Sequence, residues 1–216
     1  MAFDVSPPRD CPLCPRLADF RAENRARFPE FANAPVASFG DRDARLLIVG
    51  LAPGLKGANR TGRPFTGDFA GDLLYATLVE LGLARGSYDR RPDDGLTLHG
   101  CAIVNAVRCV PPQNKPTPAE ITQCRPFLRQ TLDSLPHLQT LVALGRIAHE
   151  SLLRAFGARL AAHPFAHGAH HTLGQGAPKL FDSYHCSRYN TNTGVLTPKM
   201  FREVLLAARD SAFAKI

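Results

Sequence analysis

Leu46-Leu-Ile-Val-Gly50, running directly into Leu51-Ala-Pro-Gly-Leu-Lys-Gly-Ala-Asn-Arg-Thr-Gly-Arg-Pro-Phe-Thr-Gly-Asp68, decides the fold. The first five residues are a short apolar run of the kind that forms a strand buried on both faces. The passage after it is rich in glycine and cations, and beyond Asp68 the leucines 73, 74, 78 and 81 recur at helical spacing. Strand, long loop and helix in that order make the repeating unit of a parallel sheet. Working outward, the runs 45–51, 100–107, 139–144 and 178–184 are all apolar and bounded by turn residues, with helix-like stretches between them. They predict four buried parallel strands in an α/β layer fold.

The helix signals agree. Thr117-Pro118-Ala119-Glu120 sets a capping residue, a proline at the first helical position and a glutamate at the third, so a helix starting there carries Cys124 in about its second turn. Gly145 opens a helix through Leu153 with Gly157 as its stop, and Thr197-Pro198 opens the last one, with Phe201, Val204, Leu205 and Ala208 on one face. Residues 85–98 and 157–177 are polar or rich in Gly, Pro and His and read as loops, their histidines 163, 167, 170 and 171 as exposed loop residues rather than a second metal site.

With 216 residues, 44% of them hydrophobic and 21% charged, the chain can bury a full core in one domain. No apolar run approaches the roughly 18 residues a membrane span needs. The start Met1-Ala-Phe-Asp-Val-Ser-Pro-Pro-Arg9 lacks the basic and apolar segments of a signal peptide, which points to the cytoplasm. Lys and Arg exceed Asp and Glu by 26 to 19, a net charge of +7 that suits a polyanion such as nucleic acid.

Cys11-Pro-Leu-Cys14 is a C-x2-C grip, and Cys109 and Cys124 follow about a hundred residues later. Four thiolates are a soft ligand set for zinc or an iron–sulfur cluster, and the uneven second half leans towards a [4Fe–4S] cluster. Disulfides are the competing reading, disfavoured by a cytoplasmic location. Cys101 sits in a strand-like run as a small buried side chain.

Ligands of open α/β sheets lie beyond the carboxyl ends of the strands, where three segments fall. In Gly50 to Asp68, the glycines permit close backbone approach, Lys56, Arg60 and Arg63 offer phosphate partners, and Phe65 offers a face for a base. Asp68 reads equally as a helix cap and as a catalytic carboxylate. In Asn105 to Pro116, Asn114 presents an amide able to pair with a base edge, or simply a turn residue. In Ser183 to Gly194, His185 and Ser187 can reach a ligand while Arg188 approaches a phosphate backbone. Cys186 beside His185 raises a cysteine-nucleophile reading without a visible oxyanion arrangement.

Together these motifs resemble the uracil-DNA glycosylase superfamily, most closely its family five, the iron–sulfur type b enzymes. The resemblance rests on the C-x2-C start, Asn59-Arg-Thr-Gly-Arg-Pro-Phe-Thr-Gly-Asp68, the run Asn105 to Pro118, and His185-Cys-Ser-Arg-Tyr-Asn190, and it spans nearly the whole chain. Sister families carry Asp, Asn or Glu inside the first Gly-x-x-Pro turn, where this chain has Leu51 and Ala52. The resemblance implies an α/β fold of three layers, α/β/α, with a central, mainly parallel four-stranded sheet and a [4Fe–4S] cluster on Cys11, Cys14, Cys109 and Cys124, in a single domain over 1–216. It implies a monomeric, nucleoid-associated enzyme that removes deaminated bases (uracil, with hypoxanthine and xanthine) from double-stranded and single-stranded DNA. Asp68 and His185 would be catalytic. Phe65, Asn114, Asn105, Gly50 and Ala52 would bind the base, and Arg63, Lys115, Ser187 and Arg188 the DNA, with Arg108 a further phosphate partner. A catalytically silent damage-binding protein and an electron carrier are the alternatives.

Overall fold

The computed structural model describes residues 5–214, so the first four residues of the N-terminal segment read above lie outside them. In chain order the elements are α1 (Pro15–Arg27), β1 (Phe39–Gly40), β2 (Leu46–Gly50), α2 (Ala58–Thr61), α3 (Phe69–Glu80), β3 (Ala84–Arg85), β4 (Thr97–Leu98), β5 (Cys101–Asn105), α4 (Pro118–Asp133), β6 (Thr140–Leu144), α5 (Arg146–Ala155), β7 (His170–Thr172), β8 (Lys179–Ser183), α6 (Arg188–Asn192) and α7 (Pro198–Phe213). The main sheet runs β1-β5-β2-β6-β8-β7. Its four central strands are parallel and correspond to the four apolar runs.

The sheet has six strands rather than the expected four. Both additions are antiparallel edges: β1 pairs Phe39 with Ile103, and β7 pairs His170 with Phe181 inside the stretch read as a loop. Neither carries an apolar run, because an edge strand faces solvent along one side and is held by pairing rather than by burial. The 85–98 stretch likewise begins and ends in a two-stranded ribbon, β3 with β4.

Alternation along the central strands divides the core. Leu46, Ile48, Ile103, Val142 and Leu144 pack with Leu74 and Leu78 of α3 and with Phe201, Leu205 and Ala208 of α7. On the opposite face Leu47, Val49, Val104, Leu141 and Ala143 pack with Leu128 and Leu132 of α4 and Leu152 and Leu153 of α5. The caps are as the sequence requires. Thr117 and Glu120 form a reciprocal capping box at α4, Thr197 caps α7, and Asp68 caps α3 by accepting from Gly71 N at 3.3 Å. Glu120 also binds Arg16 of α1 through both carboxylate oxygens at 2.7 Å, tying the N-terminal helix to the middle of the chain.

Two arginines expected at phosphates are interior. Arg63 pairs with Asp94 through two hydrogen bonds of 2.8 and 2.7 Å, donates to Thr66 Oγ1 at 2.7 Å, and lies under the rings of Phe39, Tyr75 and Tyr88. Arg108 is fully buried, donating to Val36 O, Ser38 Oγ and, at 2.6 Å, Thr131 Oγ1. A guanidinium is kept inside only where fixed acceptors replace its water, and its planar fork and aromatic stacking suit such a place.

The Asp94 side chain is 0% exposed and the Arg63 side chain 5%. Arg63 beside it holds the Asp94 carboxyl well below the usual carboxylate range. Because the folded value is depressed, the pair's stabilisation is complete above the ordinary carboxylate pKa of about 3.9 and is lost as pH falls below it. Asp94→Asn should therefore cost about 3–5 kcal/mol at neutral pH, the usual penalty for orphaning a buried partner. Urea titrations should also show a shallower loss of stability between about pH 4 and pH 2 than in the wild type. An unchanged urea midpoint would show that the pair does not hold the structure.

Candidate active site

A cleft of about 460 Å³ opens at the carboxyl ends of β2 and β5. Its walls include Leu51, Ala52 and Pro53 after β2, Phe65 and Asp68 before α3, Asn105 ending β5, Asn114, and His185, Ser187 and Arg188 after β8. Seven of the expected catalytic and base-binding residues thus belong here: all but Gly50 line the cleft directly, and Gly50 lies beneath Phe65. A Cβ built on Gly50 would fall 2.5 Å from Asn105 Oδ1 and 2.5 Å from Phe65 Cζ, so only glycine lets the ring settle onto the strand end.

Phe65 takes a left-handed backbone, φ 52°, an unfavourable conformation for a bulky residue that costs about 1–3 kcal/mol. Its surroundings enforce it. Tyr75 Oη donates to Pro64 O at 2.6 Å, Tyr88 Oη donates to Phe65 O at 3.1 Å, and Gly67 N donates to Tyr88 Oη. Gly71 opens the space for that carbonyl, since a Cβ there would lie 1.8 Å from Phe65 O. Gln113 and Asn114 are left-handed as well, φ 56° and 57°, in the turn that presents Asn114 to the cleft.

Asp68 combines the two roles its sequence position allowed. Oδ1 caps α3, while Oδ2 faces the backbone of Gly54 and Gly57, where added Cβ atoms would approach to 3.1 and 2.3 Å. Burial raises its carboxyl above the usual range, and the backbone N–H groups of Gly71 and Ala70 oppose that rise. The His185 ring lies 5.9 Å from that of Phe65 with planes inclined by 28°, and burial lowers its pKa to about 4, which leaves a neutral imidazole at pH 7. Carboxylate and neutral N–H donor thus share one largely apolar cavity, the pairing of environments that separates acid and base roles.

At the rim, Lys115 is exposed, and Arg188 is exposed with its guanidinium 5.4 Å from the centre of the Phe69 ring. Ser187 caps α6, accepting from Asn190 N at 3.3 Å. Cys186 has no exposed surface and burial pushes its thiol up, which removes the nucleophile reading. Reading residue by residue did not single out Tyr75, Tyr88 or Asp94, the side chains that shape the loop. Gly71, an interior helical glycine, was the available signal.

Cys11 and Cys14 from the start of the sequence and Cys109 and Cys124 from its middle converge on a second, small cavity lined also by Leu17, Val107 and Phe127. All four are free thiols. Arg21 Nη1 approaches Cys109 Sγ at 3.6 Å, and Arg108 N donates to Cys124 Sγ at 3.4 Å. Burial pushes Cys109 up to about 12 and Cys14 up to about 11. These sulfurs are therefore thiols by themselves and become thiolates when a cation binds them.

The sequence profile of the Uracil DNA glycosylase superfamily matches residues 37–209. The chain belongs to that superfamily. It is 50% identical over 204 residues to the type-5 uracil-DNA glycosylase of Thermus thermophilus, covering 92% of each chain. It is 38% identical to that of Pyrobaculum aerophilum, covering 94% of this chain and 89% of the relative. The type-4 uracil-DNA glycosylase of Saccharolobus solfataricus is more distant, at 28% over 86% of this chain and 82% of its own. At these identities the chain is a member of the type-5 uracil-DNA glycosylases.

Gly50→Ala tests the seating of Phe65 independently of the chemistry. The added methyl should displace the ring and the Asn105 amide together and weaken binding of a uracil-containing oligonucleotide about tenfold or more, while the Asp68 carboxylate is left in place. Binding equal to wild type would mean that the ring's position against β2 is unimportant.

Proposed function

We propose that this protein hydrolyses the N-glycosidic bond of uracil, and of the deaminated purines hypoxanthine and xanthine, in double- and single-stranded DNA. The observation that carries this reading is one cleft in which a buried carboxylate, a neutral imidazole, an aromatic face and two side-chain amides converge at the strand ends. The chain acts as one glycosylase domain.

The target nucleotide leaves the stack, at a cost of a few kcal/mol that is smallest for mismatched bases, and enters the cleft. Phe65 stacks on the base, and the Asn114 and Asn105 amides face its polar edge. Lys115 and Arg188 neutralise flanking phosphates, with Ser187 contributing a hydroxyl. As the bond between C1′ and the base nitrogen breaks, positive charge grows on the sugar and the bonding pair leaves with the base. Asp68 stabilises that cation and accepts a proton from the attacking water, whose oxygen bonds to C1′ to leave an abasic site. His185, being neutral, donates an N–H hydrogen bond to the base as it becomes anionic. The apolar Leu51-Ala52-Pro53 wall, with no polar side chain of its own, is compatible with purines as well as uracil.

The four cysteines suit a [4Fe–4S] cluster: a complete thiol set, an apolar shell, a backbone N–H on one sulfur and a guanidinium beside another. When bound, such a group supplies cross-linking rather than reaction chemistry, since hydrolysis moves no electrons. Cys109 and Cys124 lie on either side of Asn114, so they hold the base-reading turn from both ends. The positive charge and the absence, among the described residues, of any helix long and apolar enough to cross a membrane fit an enzyme working on cytoplasmic DNA.

Oligonucleotides carrying uracil, hypoxanthine or xanthine, incubated with the purified protein and then cleaved with alkali, test the activity directly, and intact strands in every case would end the enzyme reading. Asp68→Asn should retain DNA binding and lose about a hundred- to thousandfold in single-turnover rate. Its melting temperature should equal or exceed that of the wild type, because an amide still caps α3 and the unfavourably buried charge is gone. The acid limb of the wild-type rate should stand above the ordinary carboxylate value of about 3.9, and the residual activity of Asp68→Asn should lack it. Cys124→Ala should lose the broad absorbance near 400 nm together with its iron, and bind the damaged oligonucleotide more weakly. Full iron content in that variant would remove Cys124 from the ligand set.

A further inference from the structure

His149 of α5, Asp182 of β8 and His171 of β7 meet at the β8–β7 edge of the sheet, on the face covered by α4 and α5. The contacts are His149 Nδ1 to Asp182 Oδ1 at 2.7 Å and His171 Nε2 to Asp182 Oδ2 at 2.9 Å. Their ligand atoms all lie within 4.8 Å of one another. Asp182 is 0% exposed and the side chains of His149 and His171 only 2% and 9%. The expectation that His171 is an exposed loop residue is therefore corrected: β7 turns its ring inward onto the carboxylate.

Donor accounting makes this more than an ordinary hydrogen-bonded cluster. His149 Nε2 lies 2.9 Å from the carbonyl oxygen of His163, which can only accept, so the proton of a neutral His149 sits on Nε2. Nδ1 is then a bare lone pair aimed at a carboxylate oxygen, two acceptors face to face in the interior. Either a proton or a metal cation must sit between them, because two lone pairs at 2.7 Å repel where no water can intervene. His163 does not supply it: its Nδ1 and Nε2 face the carbonyls of Arg159 at 3.0 Å and Thr172 at 3.4 Å.

We propose that this cluster is a second metal site, taking one divalent transition cation of the zinc type through His149 Nδ1, His171 Nε2 and the Asp182 carboxylate. Two imidazoles and a carboxylate are the donor set that zinc favours, with a fourth position left for water. Zinc–ligand distances of about 2.0–2.2 Å separate neighbouring ligand atoms by roughly 3.3 Å, so the present contacts open by only about half an ångström on binding. In the metal-free cluster a proton fills the His149 Nδ1–Asp182 contact; it passes to solvent as the metal enters, and the His171 proton shifts from Nε2 to Nδ1. The carbonyl of His163 fixes the His149 tautomer, as outer partners of metal-bound histidines commonly do. Because Asp182 precedes His185 by three residues on the same strand end, the ion would brace the segment that carries His185.

The test uses the protein with its iron intact, cleared of loose metal on a chelating resin. Zinc sulfate is titrated at pH 7.5, and bound zinc and iron are counted after gel filtration. About one zinc per chain is expected, with unchanged iron and a melting temperature higher by about 3 °C or more. His171→Gln, on a short edge strand where folding is least at risk, should lower zinc affinity at least tenfold with iron unchanged, and His149→Gln should do the same. The proposal is overturned if the wild type holds no stoichiometric zinc, which would mean that a proton fills the contact. It is equally overturned if His171→Gln binds zinc as well as wild type, or if the bound zinc disappears only with Cys124→Ser.

Discussion

The ion pair between Arg63 and Asp94 is the constraint on which the working part of the molecule rests. It anchors the loop from Gly62 to Asp68 from below, with the guanidinium inside an aromatic cage of Phe39, Tyr75 and Tyr88. Two residues on, Phe65 occupies a left-handed conformation that the chain would not hold by itself. The comparison of magnitudes is decisive. Local strain of about 1–3 kcal/mol is sustained because breaking a buried pair costs about 3–5 kcal/mol, and the two tyrosine hydroxyls pin the carbonyls on either side of the strained bond. The Phe65 ring is thus fixed in the cleft wall before any ligand arrives.

The two polar groups at the heart of the cleft are both held away from charge. Burial raises the Asp68 carboxyl and lowers His185 to about 4, so each is less stable charged than it would be in water. That is a destabilising arrangement for the fold, and under the proposed reading it serves a separating ion pair whose charges appear where water cannot compensate them. The cysteine quartet supports the opposite wall. There the start of the chain meets the segment bearing Asn114, and the Arg16 to Glu120 contact connects the two with ordinary side chains.

Much of this was legible residue by residue. The four apolar runs are the four parallel strands, and Thr117, Asp68 and Thr197 cap the helices they precede, because burial periodicity and capping are local chemistry. Asp68, Asn114 and His185 could be picked out because strand ends followed by glycine-rich or polar loops are where α/β sheets gather ligands. The arginines were misplaced for a physical reason: a cation in a loop looks the same whether it meets a phosphate or a buried carboxylate, and Asp94 lies 31 positions from Arg63. His171 was misread likewise. The three-residue strand that turns it inward exists only through its pairing with β8.

By itself the sequence determined the parallel α/β core, the starts of α3, α4, α5 and α7, and the chemical types available at the strand ends, since all of these follow from periodicity, capping and donor chemistry within short windows. Only the tertiary structure decided which charges face inward, how Phe65 is forced left-handed, that the sheet gains two edge strands, and that His149, Asp182 and His171 meet. Those depend on contacts between residues far apart in the chain, and on a burial that sets the charge state of each group.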